Sequence, residues 1–154
     1  MERREFMALL GSAAALMPSQ ATTAHAGAPQ GDRLVGTWSF VSSINTRRDG
    51  SVVDRWGPNP SGMLMFDGSG HFTQIITGTE SRMFGPKTFA GFGGYTFDSV
   101  SNTLTTQFNG CSNAKVIGMV QERRIVLLTA DQLKYINPVT TADTSAEVLW
   151  KRLA

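Results

Sequence analysis

The sequence is poor in the side chains that carry most catalytic and metal chemistry. Its 154 residues contain one cysteine, Cys111, and two histidines, and only 17% of them are charged. A lone cysteine cannot form an internal disulfide, and Cys111 lies too far from His71 for the spacing of a zinc site. No serine has the sequence context of an activated nucleophile. We therefore expect no metal ion and no cofactor, and the composition disfavours a hydrolase.

Runs of basic residues and long apolar segments are also missing. No run of lysine or arginine exceeds two residues, and the formal net charge is only +2. This argues against a nucleic acid as the main partner. The longest apolar run, Phe6–Met17, is shorter than the roughly 20 residues that cross a bilayer. We therefore expect no membrane insertion of the mature domain.

The first 26 residues have the pattern of a cleavable export signal. Arg3-Arg4 precede the apolar run, and the small residues of Ala24-His25-Ala26 follow it, which is the order of a signal peptide. The paired arginines resemble the twin-arginine signal of bacteria. We predict cleavage after Ala26, a polar lead-in over residues 27–33, and a periplasmic or secreted protein. The alternative is a surface amphipathic helix of the mature chain.

After the lead-in, the sequence alternates with the period of two that β-strands require. In Leu34–Asn45, Trp38 and Phe40 share a face, and Asp49-Gly50 forms the tip of the turn that follows. Similar short segments recur, about eight in all, and no window keeps a helical period. A sandwich and a barrel are both compatible with this pattern. Short hairpin connections favour an all-β, up-and-down antiparallel barrel that forms a single domain over residues 34–154.

Short motifs follow one another along the chain: Leu34-Val35-Gly36-Thr37-Trp38, Gly57-Pro58-Asn59-Pro60-Ser61-Gly62, Phe66-Asp67-Gly68, Asn137-Pro138 and Glu147-Val148-Leu149-Trp150-Lys151-Arg152. Together they resemble the bacterial lipocalin-like domain family over Leu34–Leu153. The resemblance implies an eight-stranded lipocalin-type barrel that is closed at one end. It also implies that Trp38, after Gly36, plugs this end, and that Arg152 stacks across its ring. A guanidinium over an indole is favourable on physical grounds, and the alternative is a solvated terminal charge.

Two segments are less regular. Gly78–Gly94 is rich in glycine, and we predict a loop over one rim of the barrel. It is shorter than the matching segment of the family, so no ligand or lid residue is carried over from the resemblance. Lys115–Thr129 is predicted to be one long strand, kinked at Gly118 and near Glu122-Arg123-Arg124.

The candidate ligand site is an apolar lumen. An eight-stranded barrel is just wide enough to be filled by side chains or to hold one small ligand. Alternation does not select the inner face of the arms Met63–Phe66 and Phe72–Thr77, because both faces are apolar. We predict a small hydrophobic ligand in a lumen of about 300 Å³ or more, and the alternative is a packed core. The predicted lining residues are Phe40, Met63, Met65, Phe72, Ile76, Tyr95, Phe97, Phe108 and Tyr135.

Three functions remain open from the sequence. The first is a periplasmic or secreted binder of a small apolar molecule. The second is a cofactor-free isomerase or cyclase in which Tyr95 or Tyr135 donates a proton. The third is a solid-core module that presents Gly78–Gly94 and Val139–Ser145 to a protein partner, with Met83, Phe84 and Phe89 exposed.

Overall fold

The computed structural model describes residues 30–82, 85–140 and 143–154. The predicted export signal lies outside these residues, as do Met83 and Phe84. The described elements are α1 (Gln30–Leu34), β1 (Gly36–Thr46), β2 (Val52–Val53), β3 (Ser61–Phe66), β4 (His71–Arg82), β5 (Gly85–Asp98), β6 (Thr103–Cys111), a 3-10 helix (Ala114–Val116), β7 (Val120–Leu128), β8 (Gln132–Asn137) and β9 (Ser145–Arg152). No described helix is long and apolar enough to span a membrane.

The strands form a closed up-and-down barrel. The short strand β2 pairs only with the end of β1. The other strands, β1 and β3 to β9, pair antiparallel with one another in chain order. The barrel closes where β1 pairs with β9, in a register that sets Trp38 against Arg152 and Thr46 against Ser145. Eight of the described strands therefore make the barrel, which confirms the predicted all-β, single-barrel architecture.

The glycine-rich segment 78–94 is not a rim loop, and this prediction is wrong. Its described residues extend β4 and β5 into a long hairpin. The glycines are there because neighbours approach closely. A Cβ at Gly91 would lie 2.6 Å from the Phe108 ring, and one at Gly93 would collide with the Gln107 carbonyl. Glycine in a strand often marks such an approach, so the composition reflects packing and not a loop.

The predicted strand Lys115–Thr129 is also divided. Ala114–Val116 form a short 3-10 helix that begins at Asn113, whose side chain accepts from the Lys115 amide. Gly118 has φ +79°, a conformation that ends the extended segment, and β7 starts only at Val120. The short helix buries Val116 completely, so it covers part of one end of the barrel.

Candidate functional site

At one end the barrel is closed by Trp38 and Arg152. The Trp38 indole is fully buried and donates to the Leu34 carbonyl at 3.0 Å. The Arg152 guanidinium lies 4.1 Å from the centre of the Trp38 ring. Gly36, two residues before Trp38, has φ +137°, and a Cβ there would lie 2.6 Å from the Ala154 carbonyl oxygen, so this position favours glycine. The structure thus brings together the three residues predicted for the closed end.

All three nitrogens of the Arg152 guanidinium donate hydrogen bonds. Nε donates to the Ala130 carbonyl at 2.6 Å and one terminal nitrogen to the Val35 carbonyl at 2.9 Å. The other terminal nitrogen donates to the carbonyl of Arg33. Arg152, at the end of β9, therefore ties the start of the barrel to the turn between β7 and β8, and each of its three nitrogens has an acceptor.

Above this plug, the interior is filled by aromatic rings in edge-to-face contact. Phe72 and Phe108 pack with ring centres 4.9 Å apart, and Phe66 and Tyr95 with centres 4.8 Å apart. Phe40 packs edge-on against Trp150, and Phe97 is partly buried against the same core. These contacts make the closed half of the barrel a packed aromatic core.

Met63 and Met65 lie outside the barrel, so the prediction that they line the lumen is wrong. Their side chains are 39% and 41% exposed. The register pairs Trp38 with Leu64, and Leu64 is buried beside the plug, which turns both methionines to the outer face. The apolar character of both faces of β3 hid this choice in the sequence.

A cavity of about 70 Å³ lies in the other half of the barrel, near the end where β1 finishes at Thr46. We call this end the mouth. The cavity is well below the roughly 300 Å³ of a site for a drug-sized ligand, and it has room for a few water molecules. Its lining is Ser43, Asn45, Arg55, Trp56, Gln74, Ile76, Phe89, Val116, Gln121, Arg123, Tyr135, Asn137, Thr140, Ala146 and Val148.

Arg123 is the most unusual group in the cavity wall. It is only 5% exposed, although a buried charge normally needs a charged partner. One terminal nitrogen donates to the Thr106 hydroxyl and the other to Gln121 Oε1 at 2.8 Å. The guanidinium lies over the Tyr135 ring, 5.4 Å from its centre. Its Nε is buried and has no acceptor among the described residues.

A second arginine reaches the cavity from the mouth strap, the segment of residues 54–60 between β2 and β3. The Asp54 carboxylate accepts from the amides of Trp56 and Gly57 at 3.0 and 2.8 Å, which fixes the turn. Lys87 Nζ donates to the Arg55 carbonyl at 2.9 Å and so ties the strap to β5. Arg55 is partly buried, and its Nε also has no acceptor among the described residues.

The strap fits closely over β4. A Cβ at Gly78 would lie 2.5 Å from the Trp56 carbonyl oxygen, and the Trp56 ring is only 7% exposed. The Arg55 guanidinium and the Lys87 ammonium lie 5.6 and 5.3 Å from the centre of this ring. Trp56 is therefore held as one wall of the cavity.

No carboxylate balances this charge among the described residues that line the cavity. The ion pairs of the described part of the chain lie elsewhere, between Arg48 and Asp143 and between Lys134 and Glu147 for example. Burial lowers the pKa of the Arg123 guanidinium. Burial also raises the pKa of the Tyr135 hydroxyl, although the nearby Arg123 opposes this. The described wall of this small cavity thus carries two guanidinium groups and no carboxylate.

Of the nine predicted lining residues, Ile76 and Tyr135 border the cavity. The sequence reasoning missed Arg123, because it treated Glu122-Arg123-Arg124 as a kink. Strand alternation carried the signal. In β7, Arg123 and Ile125 are buried while Glu122 and Arg124 are exposed, so an arginine occupies an inward position of the strand.

No family model and no curated protein matches the chain. Among solved structures, a lipocalin-like protein from Bacteroides uniformis is 16% identical, with 79% of this chain and 99% of that chain covered and a TM-score of 0.47. A bovine odorant binding protein, in complex with a selenium-containing odorant, is 19% identical, with 80% and 73% covered and a TM-score of 0.47. A redesigned beta barrel is 16% identical, with 81% and 96% covered and a TM-score of 0.45. At these scores the likenesses carry no argument about function.

Proposed function

We propose that this chain is a binding protein that holds one small molecule in the mouth cavity of its barrel. The observation that carries the proposal is the contrast within one interior, in which a polar cavity adjoins a packed aromatic core. A barrel can be filled by apolar side chains alone, and burying them avoids the desolvation free energy that buried polar groups cost. Convergent polar groups in a concave space are typical of ligand sites.

The cavity wall combines two kinds of contact. Ile76, Phe89 and Val148 supply apolar surface, while Gln74 and Asn45 supply amide groups. The sequence predicted an apolar ligand. We now expect a ligand with a small apolar part and a polar group that accepts hydrogen bonds. The volume limits it to a few non-hydrogen atoms inside the barrel.

The enzymatic alternative has weaker support. The Tyr95 hydroxyl donates to the Asp67 carbonyl at 2.6 Å, near the closed end, so it does not face the cavity. Tyr135 does border the cavity, but its raised pKa makes it a poorer proton donor. Binding accounts for the polar groups without requiring a reaction.

The proposal is tested by an NMR screen of the purified protein with small polar and apolar compounds. We expect at least one compound to shift the side-chain amide signals of Asn45, Gln74 and Gln121, which line the cavity. Signals of Gln132, an exposed residue near the closed end, should stay in place. A screen in which no compound moves the cavity signals would contradict the proposal.

We also infer that the protein works outside the cytoplasm, in the periplasm or after secretion. The support is the order of Arg3-Arg4, the apolar run and Ala24-His25-Ala26 in the sequence. Expression of the full chain in a bacterium with a twin-arginine system, followed by N-terminal sequencing of the periplasmic fraction, tests this. We expect Gly27 as the first residue, and export should fail when Arg3-Arg4 are replaced by Lys-Lys. Full-length protein retained in the cytoplasm would contradict it.

A further inference from the structure

We propose that the ligand of the mouth cavity is a small anion, a carboxylate or an oxyanion such as phosphate, whose oxygens are bound by Arg123. This inference rests on the proposed function and names the chemical class of the ligand. The observations behind it are the hydrogen bonds of one buried side chain and the charge around it.

The first step is the incomplete bonding of Arg123. A guanidinium has five N–H donors in a rigid fork. Here the described acceptors are two neutral oxygens, from Thr106 and Gln121, and the Nε–H has none. An unsatisfied buried donor is costly, and native structures hold few of them without a functional reason. Each terminal nitrogen also carries a second hydrogen beyond the one donated to Thr106 or Gln121. Because Arg123 lies in the cavity wall, an oxygen atom bound in the cavity could accept from these terminal N–H groups.

The second step is the missing countercharge. Only 5% of the surface of Arg123 is exposed. No described residue of the cavity wall carries a negative charge. A buried cation is normally paired with an anion or bound to one. The described wall does not supply this anion, and an anionic ligand bound in the cavity would supply it.

The third step is the second guanidinium. Arg55 lines the same cavity, and its Nε is also buried without an acceptor among the described residues. Two cationic groups in the wall of one small cavity repel each other, and a negative charge bound between them would offset this repulsion. Arg55 is held by the mouth strap, so an anion would contact both the barrel wall and its cover.

The chemistry of the fork sets the ligand class. Arginine binds planar carboxylates and phosphate oxygens through parallel N–H···O bonds. The cavity of about 70 Å³ leaves space for such a group with a short substituent. Tyr135 and the amide of Asn137 border the same space and could donate to further oxygens.

The test is a thermal-shift and calorimetric titration of the purified protein at constant ionic strength. The probes are sodium propionate, inorganic phosphate and sodium sulfate, and propionamide serves as the neutral match of propionate. We expect at least one anion to raise the melting temperature and propionamide to have no effect, because ligands that bind only the folded state stabilise it. Binding of propionate alone would identify a carboxylate site, and binding of phosphate or sulfate an oxyanion site.

Variants at neighbouring positions of β7 separate a specific site from general charge. Arg123→Met removes the inward guanidinium, whereas Arg124→Met removes the same charge from the exposed outer face. We expect anion affinity to fall by about tenfold or more in Arg123→Met, since charged hydrogen bonds are lost. It should be unchanged in Arg124→Met. Arg123→Gln provides a second variant if the methionine variant does not fold.

The contrary outcomes are distinct. If propionamide binds as well as propionate does, or if Arg123→Met keeps full anion affinity, the anion inference is wrong while the binding function stands. If no charged or neutral probe binds and the NMR screen also finds no cavity ligand, both proposals fail.

Discussion

The two ends of the barrel each hold an arginine against an aromatic ring, and the two arginines differ in one respect. At the closed end, Arg152 covers Trp38 at 4.1 Å and each of its nitrogens donates to a backbone carbonyl. In the mouth half, Arg123 covers Tyr135 at 5.4 Å and its Nε has no acceptor among the described residues. Every nitrogen of Arg152 thus has an acceptor within the fold. One nitrogen of Arg123 has none among the described residues.

This difference shows how a structural charge can be told apart from a functional one. A guanidinium whose three nitrogens all donate to the main chain stabilises the fold, because its removal leaves several carbonyls without donors. A buried guanidinium with free donors contributes little to stability, because its desolvation is only partly offset. Substitution of Arg152 should therefore lower the stability of the fold, whereas substitution of Arg123 should lower the affinity for the ligand.

The largest effect is expected for Arg152→Met. The carbonyls of Arg33, Val35 and Ala130 lose their donor, and Trp38 loses the cation over its ring. We expect the free energy of unfolding to fall by about 3 kcal/mol, measured by urea denaturation. Lys151→Met is the matched control, since it removes a neighbouring exposed charge and should change stability little. Equal losses in both variants would mean that the plug does not depend on the guanidinium.

A smaller effect is expected for Gly93→Ala in the packed half. The new Cβ would collide with the Gln107 carbonyl across β5 and β6, and overpacking of this kind costs about 2 kcal/mol. Gly94→Ala is the control, because its Cβ would lie 3.7 Å from the nearest atom, the Gly70 carbonyl oxygen. Comparison of the urea midpoints of the two variants checks the prediction. A Gly93→Ala midpoint as high as that of Gly94→Ala would show that this half is less tightly packed than described.

Arg123→Met should leave stability almost unchanged in the absence of ligand. The loss of the bonds to Thr106 and Gln121 is offset because a poorly bonded charge no longer has to be buried. We expect a change within about 1 kcal/mol of wild type, by the same urea experiment. A loss as large as that of Arg152→Met would make Arg123 a structural residue and would weaken the contrast between the two halves.

The smallest effect concerns pH at the closed end. Hydrogen bonds from His71 and Ser69 lower the pKa of Asp67 to about 2. Because the folded state has the lower pKa, Asp67 stabilises the fold at pH values above its usual pKa of 3.8, and this contribution is lost as the pH falls towards 2. Asp67→Asn should flatten the dependence of melting temperature on pH in this window. Asp131→Asn, at another exposed turn, serves for comparison, and an identical slope in wild type and Asp67→Asn would contradict the prediction.

Much of the barrel could be predicted because strand patterns are local. Alternation and turn chemistry defined most hairpins, and the resemblance placed Trp38 and Arg152 together. The glycine-rich hairpin was missed because the reason for each glycine is a contact with a distant residue, such as Phe108 against Gly91. Sequence alone does not show which neighbour will approach.

The candidate site was harder to predict for a related reason. An inventory of apolar residues does not separate those that pack on one another, such as Phe72 and Phe108, from those that border a cavity. The inward orientation of Arg123 could be assigned only when the start of β7 at Val120 was known. The absence of a carboxylate beside Arg123 among the described residues could not be predicted from the sequence, because such a partner could have come from any strand that faces it in the folded barrel.

The most direct test of this account is an NMR titration that observes the arginine Nε–H signals, assigned with Arg123→Met and Arg152→Met. The Nε–H of Arg152 already donates to a carbonyl, whereas that of Arg123 has no described acceptor. On addition of the anion that stabilises the protein most, we predict a large, saturable shift of the Arg123 signal and none of the Arg152 signal. An unmoved Arg123 signal, or equal shifts of both, would contradict it.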